Sequence, residues 1–205
     1  MKEKSLIKEL VKKSRSYRGY DESRKITREE LLELVDCTRY APSTANRQPL
    51  KYLLAYEQED LDKIQPLTAW AGGLPHLRLP QLGERPTAFI VICQDTSLDT
   101  NLDRFARDVG AAAQTILLAA VEQGLGGIMI GNFNPEKVAK AFDLPEYIVP
   151  MLVVALGKPD ERIVLTEIED GESVQYYRDE QGVHYVPKRK LEDIILCPNV
   201  AERTE

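Results

Sequence analysis

The spacing of apolar positions divides the chain into alternating helical and extended stretches. Leu6, Ile7, Leu10 and Val11 repeat every three or four residues and predict a first helix. Thr27 followed by Glu30 has the form of a capping box, opening a second helix with Leu31, Leu34 and Val35 on one face and an end near Tyr40. Pro42 disfavours helical geometry at Ala41, so the polar stretch RYAPSTANRQP is a loop, and Tyr52 to Tyr56 reads as a strand. Thr87 to Gln94 (TAFIVICQ) is a continuous apolar run rich in β-branched residues, as in a strand covered on both faces.

From Asn101 to Gln123 the apolar residues follow helical spacing, and after Gly110 nearly every position is apolar or small. A helix of that kind is expected to be buried on all sides. Gly124 supplies a left-handed cap, GGIMIGN is a short strand, Pro135 opens a short helix, and Val149 to Leu156 is a buried strand ended by Gly157 and Pro159. The segment from Ala71 to Pro86 is rich in Gly and Pro and is expected to be a covering loop or broken helix. Beyond Asp160 the chain is polar and irregular until YVPKRKLEDIIL, an extended arm expected to wrap another surface, such as a second subunit. Strands alternating with helices favour an α/β or α+β fold.

Composition narrows the function. The 205 residues are 43% hydrophobic and 29% charged, enough for one domain with a core. A net charge of -6 with scattered Lys and Arg speaks against nucleic acid as the partner. There is no apolar signal core at the N-terminus and no long apolar run, so no membrane is expected and a cytoplasmic protein is the default. Cys37, Cys93 and Cys197 are an odd, dispersed set that fits reduced thiols.

Several chemistries drop out. GLGGIMIG lacks the third glycine of a dinucleotide fingerprint, which would fall on Met129. The two histidines, His76 and His184, stand in no recognisable nucleophile or zinc context, so hydrolase triads and metal sites are not expected. What remains is polar and basic. Arg15, Ser16 and Arg18 follow the first helix and suit either a phosphate or the negative end of that helix's dipole. Lys188, Arg189 and Lys190 form a second basic cluster in the arm, which suits either an anion or simply a solvated basic turn. Pro42, Ser43, Thr44, Asn46 and Gln48 offer hydroxyls and amides that suit a planar ligand edge or a polyol, or simply a capped turn.

In order and spacing, SRSYRGY, APSTANRQP, GAAAQTILLAAVEQGLGGIMIGNF, VVALGKP and VPKRKLEDII together resemble the FMN-dependent nitroreductase family over nearly the whole chain. The resemblance implies an α+β fold with a central, mixed, mostly antiparallel sheet flanked by helices, and a long buried core helix. It implies one domain over 1–205, with 161–205 as a C-terminal arm exchanged in a homodimer that holds two FMN molecules at its interface. Arg15, Ser16 and Arg18 would hold phosphate, ribityl chain and pyrimidine edge. Pro42, Ser43, Thr44, Asn46 and Gln48 would arrive from the other subunit. The backbone around Ile128, Ile130 and Gly131 would line the flavin face, and Lys188 with Arg189 or Lys190 would close on the phosphate. The implied activity is hydride transfer from NADH or NADPH to nitro compounds, quinones or related aromatic acceptors in a ping-pong cycle, with no metal and no indispensable acid or base. The alternatives are a flavoprotein acting on an unsaturated carbon bond and a module that holds FMN without turnover. Ser14 stands where the family often has a further arginine, and Leu50 where an aromatic is common.

Overall fold

The computed structural model describes residues 5–70, 72 and 77–196, in two compact units, residues 1–160 and 161–205. The first unit contains helices α1 (Leu6–Lys13), α2 (Arg28–Thr38), α3 (Gln58–Ile64), α4 (Ala106–Glu122) and α5 (Pro135–Ala141). Its strands are β1 (Tyr20–Asp21), β2 (Leu50–Ala55), β3 (Ala88–Asp95), β4 (Gly126–Ile130) and β5 (Ile148–Pro159). They form one antiparallel sheet in the order β2, β3, β5, with β4 and β1 sharing the far edge of β5.

Strand periodicity splits the core into two layers. Ile90 and Ile92 of β3, with Val154 and Leu156 of β5, pack against Leu31 and Leu34 of α2 and the apolar stripe of α4. Phe89, Val91, Val153 and Ala155 face the other way, onto Leu61 and Ile64 of α3 and Val138 of α5. Every residue of β3 is buried, as its unbroken apolar run requires. Burying each large side chain there contributes roughly 1.5–3 kcal/mol. α2 begins with the expected box, in which Thr27 accepts from the Glu30 N–H and Glu30 accepts from the Thr27 N–H. Gly124 takes the left-handed cap (φ 74°), and Asn134 caps α5 ahead of Pro135.

Four expectations are corrected. α4 starts at Ala106, after a 3-10 turn at Asp103–Phe105, and is buried on one stripe only: Gly110 and Gln114 are exposed and Ala111 and Leu118 half-buried. Its small residues leave an outer face that the described residues of the unit cover only in part. β5 continues through Gly157 to Pro159 because Tyr20 and Asp21 pair with Pro159 and Lys158. α3 went unforeseen, since seven mostly polar residues carry little periodicity. The second unit is not irregular: β6 (Ile163–Ile168), β7 (Tyr177–Arg178) and β8 (His184–Arg189) form a sheet, β6 parallel and β7 antiparallel to β8. His184 is buried there beside Arg178, which also pairs with Glu161. His76 and Cys197 lie outside the described residues, as do 71 and 73–75 of the 71–86 segment, whose described part contains no helix or strand.

Candidate functional site

Two of the expected groups meet along the outer edge of β4. Ser16 forms a parallel bridge with Gly127, and the Tyr17 N–H donates to the Gly127 carbonyl at 3.2 Å. The glycine pair allows this close approach. A Cβ at Gly126 would lie 2.6 Å from the Tyr17 ring, and one at Gly127 would lie 2.3 Å from the Ala155 carbonyl oxygen and 2.9 Å from Leu117. The basic segment is thereby fixed beside β4. Arg18 is buried and donates from Nη1 to the Ser16 carbonyl at 2.9 Å. Arg15 donates from Nη2 to the Val11 carbonyl at 2.7 Å, while its buried Nε has no partner among the described residues. Burial lowers the Arg15 pKa from its ordinary value, the mark of a cation short of an anion. Ile128 and Ile130 turn their side chains into the α3–α5 layer, so only their backbone is available to a ligand, while Met129 is exposed. Gly131 is open, with nothing within 4 Å of where a Cβ would stand.

The polar loop is built by hydrogen bonds to a residue that sequence reasoning passed over. Asp108 of α4, 6% exposed, accepts from the Ser43 hydroxyl at 2.7 Å, the Thr44 N–H at 2.8 Å and the Thr44 hydroxyl at 2.7 Å. Burial would raise its pKa, yet the bonds from Thr44 and Ser43 outweigh that and hold it below the ordinary carboxylate value. The Gln48 N–H donates to the Ser43 hydroxyl at 3.0 Å and closes the loop. Gln48 Nε2 donates to Asn46 Oδ1 at 3.1 Å, so the two exposed amides form a pair that presents one remaining acceptor and one remaining donor group to solvent. Pro42 is exposed at the loop's entry. A cavity of about 150 Å³ lies under the loop, between Thr38, Tyr52, Asp108 and Ala112.

Loop and basic segment occupy opposite flanks of α4. Asp108 holds the loop and Leu117 touches Gly127, and nine residues turn an α-helix by about 180°. Lys188, Arg189 and Lys190 belong to the second unit, at and just beyond the end of β8. There Lys190 binds Glu169 at 2.6 Å, Arg189 stands 3.5 Å from Asp170, and Lys188 is exposed. No cluster of metal-ligating side chains occurs among the described residues, and no described helix is long and apolar enough to cross a membrane.

The donor set fits FMN. An unpartnered buried guanidinium nitrogen next to a second arginine suits a phosphate dianion, and the open Gly131 just past the end of β4 leaves room for a flat ring. Among known proteins, one assigned as an NADH dehydrogenase/NAD(P)H nitroreductase from Archaeoglobus fulgidus is 30% identical over 166 residues, covering 78% of this chain and 90% of that one. An FMN reductase [NAD(P)H] of Bacillus subtilis is 26% identical over 168 residues, covering 72% of this chain and 64% of that one. A crystal structure from Parabacteroides distasonis, also assigned as an NADH dehydrogenase/NAD(P)H nitroreductase, superposes with a TM-score of 0.64 at 25% identity over 86% of this chain and 99% of that one. The model of the nitroreductase family matches residues 11–158, a span that takes in the basic segment, the Asp108-held loop, α4 and β4. By that match and by its fold, the chain belongs to the nitroreductase family.

Proposed function

We propose that this protein is an FMN-dependent oxidoreductase that takes hydride from NADH or NADPH and delivers it to a nitro compound, a quinone or a related small aromatic acceptor. The observation that carries the proposal is Arg15, whose buried Nε lacks a partner beside the glycine-lined edge of β4. A buried donor without a partner costs about 1–3 kcal/mol, and a phosphate oxygen there removes that cost. Bound FMN supplies the two-electron redox chemistry. Arg15 and Ser16 would hold its phosphate and ribityl chain, and Arg18 would place a fixed positive charge toward the pyrimidine edge, where reduction builds negative charge. The backbone from Ile128 to Gly131 would form the floor of the site. Donor and acceptor would use the same opening in turn, a ping-pong order that needs no side chain as acid or base.

The site is completed by a second subunit. Loop and basic segment of one chain lie on opposite flanks of α4, which supports Pro42, Ser43, Thr44, Asn46 and Gln48 serving the partner's flavin. Two uncovered surfaces support a homodimer: the outer face of α4, and the apolar side of α1, where Leu6, Ile7 and Val11 are exposed. Residues 161–205 would act as the arm of a single domain, with Lys188 and Arg189 or Lys190 closing on the phosphate. Two free thiols, Cys37 and Cys93, suit the cytoplasm, where reduced nicotinamide is supplied. The test is an absorbance spectrum of the purified protein before and after anaerobic NADPH and then NADH. Flavin bands that bleach support the proposal. A protein that stays colourless after incubation with FMN refutes it, and a yellow protein that neither nucleotide bleaches reduces it to flavin binding alone.

A further inference from the structure

We propose that Asp108 is the positioning residue of the polar loop, holding Asn46 and Gln48 in the one conformation that grips FMN. It rests on the FMN reading given above. Ala45, Asn46 and Gln48 all have positive φ, at 50°, 53° and 50°, a conformation that residues other than glycine enter only at a cost. Something outside the loop must hold it there. Apolar packing does not, because a cavity of about 150 Å³ lies beneath and residues 45–48 are exposed. A second tether, Arg47, donates to the Leu98 carbonyl at 3.0 Å and faces Asp99 at 3.5 Å, but its side chain is half exposed and a surface pair holds weakly.

Asp108 is different in kind. Its two carboxylate oxygens take three hydrogen bonds from Ser43 and Thr44, and Ser43 passes the constraint to the Gln48 N–H. Charged acceptors make the stronger bonds, and this one is anchored on α4, the longest helix among the described residues. A neutral side chain of the same shape offers one acceptor oxygen in place of two, so asparagine reproduces only part of the clamp. Without it the loop samples other conformations, and only the fraction still in the competent state binds.

The test measures FMN affinity of the full-length protein by quenching of flavin fluorescence, together with trypsin cleavage after Arg47 in the flavin-free protein. If Asp108→Ala leaves about one loop in ten competent, apparent Kd rises roughly tenfold, and cleavage after Arg47 quickens while other sites keep their rates. Asp108→Asn, which keeps the shape, is expected to fall between Ala and the wild type, about threefold weaker by the same reasoning. That graded recovery separates positioning from general destabilisation, and Asn also stands in if the Ala variant does not fold. A folded variant with wild-type Kd and wild-type cleavage overturns the proposal. If the wild type itself binds no FMN, the flavin reading fails, and the cleavage rates still decide whether Asp108 holds the loop.

Discussion

Replacing Gly127 by alanine tests whether the basic segment is fixed by the close approach of β4 to its neighbours. The new Cβ would meet the Ala155 carbonyl oxygen at 2.3 Å, with Leu117 and Leu156 at 2.9 Å. Because real Cβ contacts stay beyond 3.0 Å, β4 must move by at least about 0.7 Å relative to β5. The leucine side chains can rotate, but a backbone oxygen in a paired strand cannot. Overpacking costs about 1–3 kcal/mol, and an unyielding neighbour puts this site near the upper end. For a chain of this size each kcal/mol lowers the melting temperature by about 2–4 °C, so a loss of roughly 6–12 °C is expected. Displacing β4 also displaces Tyr17, which donates to the Gly127 carbonyl, and with it Arg15 and Arg18. FMN affinity should fall as well. The assay is thermal unfolding without added flavin, since a ligand that binds only the native state raises the melting temperature. Gly131→Ala is the control: its site is open, and the change should stay within about 0.5 kcal/mol. Gly127→Ala melting within about 2 °C of the wild type, or Gly131→Ala losing as much, refutes the reasoning.

Other consequences are independent of Gly127. Arg18→Ala and Arg15→Ala should each weaken FMN binding by about tenfold or more, as loss of a charge-assisted phosphate or flavin contact of about 1.5–3 kcal/mol implies, and Arg18→Ala should also slow flavin reduction; titration and stopped-flow absorbance would measure both. Unchanged values for Arg18→Ala would remove it from the site. Leu118→Glu, on the outer face of α4, should convert the proposed homodimer to monomer in sedimentation analysis; a variant dimer of unchanged affinity would move the interface elsewhere, and a monomeric wild type would refute the dimer itself. Cys93, whose thiol burial pushes up to about 12, should resist alkylation in the native protein and react only after unfolding, whereas exposed Cys37 labels readily. Peptide mass spectrometry distinguishes the two, and native labelling of Cys93 would show that β3 opens.

What could be read in the sequence follows the length and regularity of each signal. The α2 capping box and the apolar run of β3 are local patterns with one physical solution each, and both are where the residues put them, whereas α4 is buried on one stripe and not on all sides. α3 and β7 are too short for periodicity to show, and β6 and β8 alternate only weakly among polar neighbours. The glycines of GLGG illustrate a subtler limit. As a phosphate fingerprint they fail, and their use is visible only once Tyr17 is seen seated against Gly126 and the Ala155 carbonyl against Gly127.

Asp108 shows why the site was only half legible. Its carboxylate is sixty-five residues from Ser43 in sequence, so no local pattern joins them. One signal was nonetheless present: Asp108 is spaced four residues from Ala112 and eight from Ile116, placing a lone charge on the otherwise apolar buried stripe of the helix. A charge in that position has to be paired or hydrogen-bonded, and the loop from Ser43 to Gln48 is one polar stretch rich in the hydroxyl and amide donors that could do so. Buried charge and hydroxyl-rich loop each lack a partner when read alone, and each supplies what the other lacks. Read together, they tie the loop to the core helix and make its three left-handed residues sustainable.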